Sequence, residues 1–248
     1  MLSLLILMSL IPPVSMLSAK QLSGINEISD SDFRPVRESR VKLGRLLFYD
    51  NILSGNSNIS CGTCHHHQHH GSDGVSLGVG EGGSGVGLKR TAGKEDSRIK
   101  KRVPRNTPAL FNLGATEISM MFYDGRLSLG EEYENGFNSP AEEWLHEGVD
   151  NLLAAQALFP MAAEFEMAGN SGENQVVGAI YDRIDKGWPI LSKRVRVIPE
   201  YGKLFIAAFD DISDPTQVKI THIANAISDF INFEWRSYDS PFDFYLKG

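Results

Sequence analysis

The clearest pattern along the chain is a helical repeat of apolar residues in its C-terminal part. Apolar residues recur at spacings of three and four from Ile220 to Ile231, which predicts a helix over residues 220–235. Shorter runs of the same kind predict four further helices, over residues 41–49, 173–186, 189–197 and 200–210.

A longer helix is predicted from Ser139 onward. The tetrapeptide Ser139-Pro140-Ala141-Glu142 matches a capping box with proline at the first helical position. Apolar residues from Leu145 to Ala157 then follow at helical spacing. No convincing run of alternating strand residues is seen, so the sequence predicts a mainly α fold.

The N-terminal residues are almost wholly apolar up to Leu17. As a membrane span this run is short and is interrupted by Pro12-Pro13. We predict a signal peptide over residues 1–19 and export to the periplasm or another exported compartment, with residues 20–248 as the mature domain. A lipid-embedded anchor that stays attached is the alternative.

Composition narrows the class of protein. The chain has 248 residues, of which 42% are hydrophobic and 22% charged, as is typical of a globular protein. Its formal net charge of −7 argues against nucleic acid as a partner.

A glycine-rich loop is predicted over residues 71–93. Its Gly78-x-Gly80-x-x-Gly83 has the letters of a dinucleotide fingerprint, but no strand precedes it and glycines continue where a helix should begin. A basic run follows from Lys89 to Arg105. It fits a solvated surface, or a contact for the carboxylates of a cofactor or of an acidic partner.

The chemistry of the chain is concentrated in Cys61-Gly62-Thr63-Cys64-His65, which contains both of its cysteines. C-x-x-C-H is the attachment signature of c-type haem. The thiols of Cys61 and Cys64 add to the haem vinyl groups, and His65 binds the iron as an axial ligand. We therefore predict one covalently bound haem c.

Two other interpretations of the cysteines are open at this point. A thioredoxin-like redox pair requires a βαβ context, which the surrounding turn and glycine-rich residues do not predict. A zinc site requires four converging ligands, which the cysteines and the adjacent run of histidines could supply by number.

The sequence resembles the bacterial dihaem cytochrome c peroxidase family, which is related to the dihaem enzyme of methylamine utilisation. The resemblance rests on short segments in the same order along most of the chain. These are residues 43–50, 53–55, 59–65, 105–112, 121–126, 156–167, 223–226 and 240–243.

The resemblance implies a two-domain architecture of which this chain covers one part. Family members have an N-terminal haem that reacts with peroxide and a C-terminal haem that supplies electrons. This chain resembles the N-terminal, peroxidatic cytochrome c domain, here with a long glycine-rich loop and extra helices. It contains no second C-x-x-C-H. We expect either a truncated sequence, which we favour, or a single-haem variant.

The resemblance also implies roles for individual residues. Glu166 matches the distal glutamate that transfers protons, and Gln156 matches a glutamine of the same pocket. Pro160 matches a proline near the path between the haems. Tyr123 stands where the family often has an electron-relay tryptophan. Asn106 matches a position that in some members helps to bind calcium, although its other ligands would come from the second domain.

The expected activity is reduction of hydrogen peroxide to water with electrons from a small redox protein. An electron-transfer cytochrome c and a haem-dependent oxidative modification enzyme are the alternatives. The loop over residues 71–93 contains no histidine that could cap the iron, so we expect an open iron or a substitute ligand in His69 or His70.

Overall fold

The computed structural model describes Ile25, residues 27–95 and residues 98–247. The predicted signal peptide, residues 1–19, lies outside the described residues. The described chain is mainly α-helical. Its α-helices are α1 (Glu38–Tyr49), α2 (Cys61–Cys64), α3 (Leu152–Leu158), α4 (Gln175–Ile180), α5 (Trp188–Arg196), α6 (Pro199–Ala208), α7 (Ile220–Glu234) and α8 (Pro241–Lys247). Among these helices, none combines the length and hydrophobicity needed to cross a membrane.

The chain divides into two compact units. The larger one, Ser31–Ser237, contains α1 to α7. The smaller one combines the described residues up to Asp30 with those from Tyr238 onward, including α8. Within it, Ser240 caps α8. The Asp243 N–H donates to the Ser240 hydroxyl at 3.2 Å, and the Ser240 N–H donates to the Asp243 carboxylate at 2.8 Å.

The core of the larger unit is built on the packing of α1 against α7. Leu43 and Leu47 of α1 are fully buried, as is much of the apolar stripe of α7. Gly44 allows the close approach of the two helices, because a Cβ at this position would lie 1.8 Å from the carbonyl oxygen of Ala226. The α1 and α7 predictions are therefore confirmed, as are those of α5 and α6.

The long helix predicted from Ser139 does not form, and that prediction was wrong. Glu142 has a φ of 50° and Gly148 a φ of 91°, and a right-handed helix cannot include either conformation. Ser139 instead closes a turn, with its carbonyl oxygen accepting from the Glu142 N–H at 3.0 Å. The helix begins only after Asn151, whose side chain accepts from the Ala154 N–H at 3.0 Å.

The helix predicted over residues 173–186 is only partly formed. It is split into α4 and a 3-10 turn, Ile184–Gly187. The break lies at Arg183, whose backbone is extended with φ of −160° and ψ of 136°. The Arg183 guanidinium pairs with the Asp185 carboxylate through two hydrogen bonds, at 2.5 and 2.9 Å. This ion pair stabilises the turn in place of a continuous helix.

A small sheet that the sequence analysis missed precedes α3. Its antiparallel strands, in the order β1-β2-β3, are β1 (Met120–Met121), β2 (Leu127–Leu129) and β3 (Phe137–Asn138). Met121 pairs with Leu127, and Leu129 pairs with Phe137. Strands of two or three residues are too short for an alternating pattern to be visible in the sequence.

Candidate functional site

Both cysteines lie on the single helical turn α2, which begins after Ser60. The Ser60 carbonyl oxygen accepts from the Thr63 N–H at 3.1 Å, and the Thr63 hydroxyl accepts from the Ser60 N–H at 3.1 Å. The glycine after Cys61 lets the turn approach α1, because a Cβ there would lie 2.3 Å from the Tyr49 ring. Cys61 and Cys64 are not disulfide-bonded, and their three-residue spacing makes their side chains neighbours on one face.

His65 follows this turn, and a hydrogen bond to the backbone orients its ring. The Nδ1 atom lies 2.7 Å from the carbonyl oxygen of Gly71, which has a φ of 72°. A carbonyl oxygen can only accept, so the geometry assigns the proton to Nδ1 and leaves the Nε2 lone pair available to a metal. Burial lowers the pKa of His65 and so favours the neutral imidazole that ligation requires.

The pKa values of the thiols argue against a redox-active pair. Burial raises the pKa of Cys61 to about 12 and that of Cys64 to about 11. A nucleophilic redox cysteine needs a lowered pKa instead. The sheet of the described chain is antiparallel and provides no βαβ unit. The thioredoxin-like interpretation is therefore not supported.

The zinc interpretation is not supported either. No group of three or more Cys, His, Asp or Glu side chains that could hold a metal ion occurs in the described part of the chain. The ring centroids of His66 and His69 lie 5.9 Å apart, whereas the His67 ring stacks on Trp235. The histidines of the run therefore point to different neighbours rather than to one centre.

Arg90 fixes the glycine-rich loop from within, and the sequence analysis counted it only as part of the basic run. Its guanidinium donates to the carbonyl oxygens of Val79 at 2.5 Å, Gly80 at 2.6 Å and Gly85 at 2.7 Å. The same Val79 oxygen lies 3.9 Å from the Sγ atom of Cys64. The loop is thereby held against the cysteine turn. In the described residues, no α-helix begins directly after the glycines of this loop, so its match to the dinucleotide fingerprint has no structural basis.

Beyond the cysteines, the loop reaches the segment that contains Glu166. A Cβ at Gly80 would lie 1.8 Å from the carbonyl oxygen of the residue before Glu166, so only glycine allows this approach. The Glu81 N–H donates to the Glu166 carbonyl oxygen at 2.9 Å. The Glu81 carboxylate accepts from the side-chain amides of Asn56 at 2.8 Å and Asn58 at 2.6 Å. The sequence pattern gave no signal of these long-range contacts.

Glu166 lies on a π-helical turn, Glu164–Ala168. Such turns are rare and are frequent at functional sites. The turn is anchored by the Gly55 N–H, which donates to the Met167 carbonyl oxygen at 2.7 Å. The Asn174 side chain donates to the carbonyl oxygen of Ala168 at 2.8 Å. Glu166 is partly buried on this anchored turn, unlike Glu164, which is exposed.

The charges around Glu166 connect it with the cysteine turn. Burial raises the pKa of the Glu166 carboxyl above its ordinary value, and the Arg126 guanidinium acts in the opposite direction. The Glu166 carboxylate is also near enough to Cys64 to add to the rise in the pKa of that thiol. The structure therefore brings the predicted catalytic acid and the predicted haem-binding cysteines into one site.

The other predicted residues lie around this site or away from it. Gln156 is partly buried on α3, and Pro160 begins the 3-10 turn, Pro160–Ala162, that follows α3. Tyr123 is 69% exposed, with the guanidinium carbon of Arg105 3.4 Å from its ring centroid. Asn106 is exposed. The electron-relay and calcium roles of these residues remain predictions.

Comparison with known families confirms the resemblance. Residues 38–248 match the family described as di-haem cytochrome c peroxidase. The chain belongs to this family of haem c oxidoreductases. This identification agrees with the paired thiols and the adjacent histidine of the site.

Two curated relatives are similar to most of this chain. Cytochrome c551 peroxidase of Pseudomonas aeruginosa is 27% identical over 223 residues, which cover 90% of this chain and 46% of the relative. Methylamine utilization protein MauG of Methylorubrum extorquens is 26% identical over 214 residues, which cover 86% of this chain and 43% of the relative. The chain thus spans about half the length of the curated relatives it matches.

A solved structure supports the fold. It is the crystal structure of a MauG-like protein associated with microbial copper homeostasis. The structural match covers 97% of this chain and 50% of the chain in that crystal structure. The TM-score is 0.50 at 23% sequence identity.

The residues of the site fit the haem c that the family implies. Two thiols separated by two residues and followed at once by a histidine are the donor set of this group. The hydrogen bond to Gly71 leaves Nε2 of His65 as the ligand atom. Asp73, which the sequence analysis did not single out, is 1% exposed, and its Oδ2 atom has no hydrogen-bond partner among the described residues. Its negative charge opposes the lowering of the His65 pKa by burial and would favour a positively charged iron.

Proposed function

We propose that this chain is the haem domain at which a peroxidase of this family reduces hydrogen peroxide to water. Cys61 and Cys64 would hold one haem c through thioether bonds, and His65 would bind its iron. When bound, the haem supplies an iron that exchanges electrons with peroxide. The polypeptide has to orient that haem and move protons beside it.

The position of Glu166 is the observation that carries this proposal. Peroxide reduction needs a group that takes a proton from one oxygen and delivers it to the departing one. A carboxyl with a raised pKa suits this task, because it both accepts and releases a proton nearer neutral pH. The Gly55 contact and the Glu81 contact hold its turn from two sides, so the backbone that carries the carboxyl is fixed.

Three further residues receive supporting roles in the proposal. Gln156 would hydrogen-bond the ligand or the Glu166 carboxylate from α3. Tyr123 and Pro160 would lie on the path by which electrons from a second haem reach this one. The phenol of Tyr123 has to lose a proton when it is oxidised, so this relay is less direct than one through tryptophan.

The wider setting of the domain belongs to the same proposal. Residues 20–248 would form the peroxidatic domain, and a small redox protein would be the ultimate electron donor. Covalent haem attachment belongs to the exported compartment, which supports the predicted leader. A calcium ion at Asn106 would require ligands from another domain.

The substitution Glu166→Gln tests the proposal, because it removes the proton-exchanging oxygen with little change in size. We expect the second-order rate of reaction of the haem-loaded protein with hydrogen peroxide to fall by ~10²- to 10⁴-fold. Stopped-flow absorbance of the haem measures this rate. Glu164→Gln is the matched control, since Glu164 is an exposed acid on the same turn, and we expect it to react at the parental rate.

The outcomes separate the proposed activity from its alternatives. Equal rates in both variants would contradict the role of Glu166. A six-coordinate low-spin haem that reacts with neither peroxide nor cyanide would identify an electron-transfer cytochrome. Peroxide consumption that fails to oxidise a reduced cytochrome would favour an oxidative modification enzyme.

A further inference from the structure

The proposed function gives no role to the aromatic rings that pack around His65. An aromatic cluster connects His65 with the protein surface on the side of α1 and α7. Its members are Phe48, Tyr49, His65, His67, Phe230 and Trp235.

Trp235 lies at the centre of the cluster and next to the backbone that holds His65. It is 2% exposed, and its ring centroid lies 5.4 Å from those of Phe48 and Phe230. Its Nε1 atom lies 3.1 Å from the position that a Cβ on Gly71 would occupy. The indole therefore packs directly against Gly71, whose carbonyl oxygen binds Nδ1 of His65.

A second contact path joins the same two residues. The Phe48 ring lies 6.3 Å from the His65 ring and 5.4 Å from the indole. Two routes thus connect Trp235 with His65, one through the peptide group of Gly71 and the other through the Phe48 ring. Neither of the other two tryptophans has such a contact in the described chain, since Trp188 packs on His146 and Phe159 and Trp144 stacks on Arg183.

At its outer end the cluster reaches solvent. The His67 ring stacks on the indole with centroids 4.8 Å apart and planes 16° apart. The His67 side chain is 48% exposed, and its Nε2 atom lies 3.7 Å from the Glu234 carboxylate. The His67 ring therefore lies between the solvent and the buried indole, so an electron from a donor at the surface has to cross one stacked ring to reach Trp235.

The chemistry of the rings singles out Trp235 as the redox-active member. Phenylalanine and neutral imidazole are not oxidised under biological conditions, whereas indole and phenol are. A phenol must lose its proton on oxidation, and partial burial raises the pKa of Tyr49 and makes that loss harder. An indole can lose one electron and keep its Nε1 proton. The negative charge of Glu234, whose carboxylate lies 3.7 Å from Nε2 of the stacked His67 ring, favours the resulting cation.

We propose that Trp235 relays single electrons between the surface at His67 and the haem bound through His65. The Trp235 indole would give up one electron toward the haem that Cys61, Cys64 and His65 would hold, and would become a cation that retains its proton. A reduced one-electron donor protein at the surface then returns one electron to the indole. No bond forms or breaks. The relay rests on the proposed function only in requiring a haem at His65.

A light-triggered measurement tests the relay without peroxide. Haem attachment uses both native cysteines, so a thiol-reactive ruthenium tris-bipyridine label reacts only at Gln68→Cys, an exposed position beside His67. A laser flash with an external quencher produces an oxidised ruthenium centre, which withdraws an electron from the ferrous haem. We expect rapid haem oxidation and a transient indole-cation absorbance.

In the same labelled background, Trp235→Phe should slow haem oxidation by an order of magnitude or more and abolish the indole-cation signal. Trp235→Tyr should restore part of the rate with a solvent deuterium isotope effect, which a packing role alone would not produce. Trp144→Phe is the matched control, because this tryptophan is 42% exposed and stacks on Arg183, and it should leave the rate unchanged.

The possible results discriminate between the two proposals. An unchanged rate in Trp235→Phe overturns the relay and leaves the peroxidase proposal intact. Normal relay kinetics in a protein that ignores peroxide overturn the peroxidase proposal alone. Failure of the parental chain to attach haem overturns both.

Discussion

At Glu166, burial and the Arg126 guanidinium act on the carboxyl in opposite directions, burial raising its pKa and the cation lowering it. If the ionised carboxylate accepts the proton of peroxide, the reaction rate rises with pH through that pKa. Arg126→Gln removes the cation, so we expect the midpoint of the pH–rate profile to move to higher pH. Arg126→Lys keeps the charge and should hold the midpoint near its parental position.

Stopped-flow rates across a pH series, with haem content determined for each variant, measure this shift. Arg126 also pairs with Asp124 at 2.8 Å and lies over the Phe122 ring at 4.1 Å. A loss of rate without a change of midpoint would therefore indicate only a structural role for Arg126. A midpoint that moves to lower pH would contradict the electrostatic argument.

Two glycines within helices make a matched pair at the scale of the elements. A Cβ at Gly44 of α1 would lie 1.8 Å from the Ala226 carbonyl oxygen, whereas a Cβ at Gly178 of α4 would have no neighbour within 4 Å. Gly44→Ala must therefore push α1 away from α7 and should destabilise the fold by ~1–3 kcal/mol or more. Gly178→Ala should stabilise it by ~0.5–1 kcal/mol, because alanine favours the helix.

Chemical denaturation of the two variants measures both effects with the same substitution. Equal stability changes would contradict the packing geometry of α1 against α7. A destabilised Gly178→Ala would show that the outer face of α4 is covered in solution. A Cβ at Gly44 would meet Ala226 and Phe230 first, and one at Gly178 would meet nothing within 4 Å, so haem attachment at Cys61 and Cys64 should be retained wherever the protein folds.

The elements also show which features a sequence can predict. The C-x-x-C-H motif and the stripe of α7 are local patterns, and each could be predicted because its spacing reflects its own geometry. The contacts that fix the turn containing Glu166 could not be predicted, because Gly80 and Glu81 reach this turn only in the folded chain. The capping letters at Ser139 misled because Glu142 and Gly148 adopt left-handed conformations that the apolar spacing does not reveal.

At the scale of the whole molecule, stability should depend on pH through Asp229 of α7, which faces Arg40 of α1. Burial raises the pKa of Asp229 to about 6, although Nη1 of Arg40 lies 4.0 Å from its carboxylate. The folded state therefore favours the protonated acid. The stabilisation by protonated Asp229 is fully present at pH values below 3.8, the ordinary pKa of the group. It is lost as the pH rises through about 6.

The substitution Asp229→Asn should remove this loss, because the amide stays neutral at every pH. Urea unfolding at about pH 4 and about pH 8 measures the free energy of unfolding of the variant and the parent. Relative to the parent, the variant should gain up to about 3 kcal/mol of stability between the lower and the higher pH. Asp182→Asn is the opposing control. Asp182 is an exposed acid whose pKa Lys186 lowers, so its contribution is lost on acidification instead. If both variants respond to pH alike, the response reflects net charge, and the burial of Asp229 between α1 and α7 is not its cause.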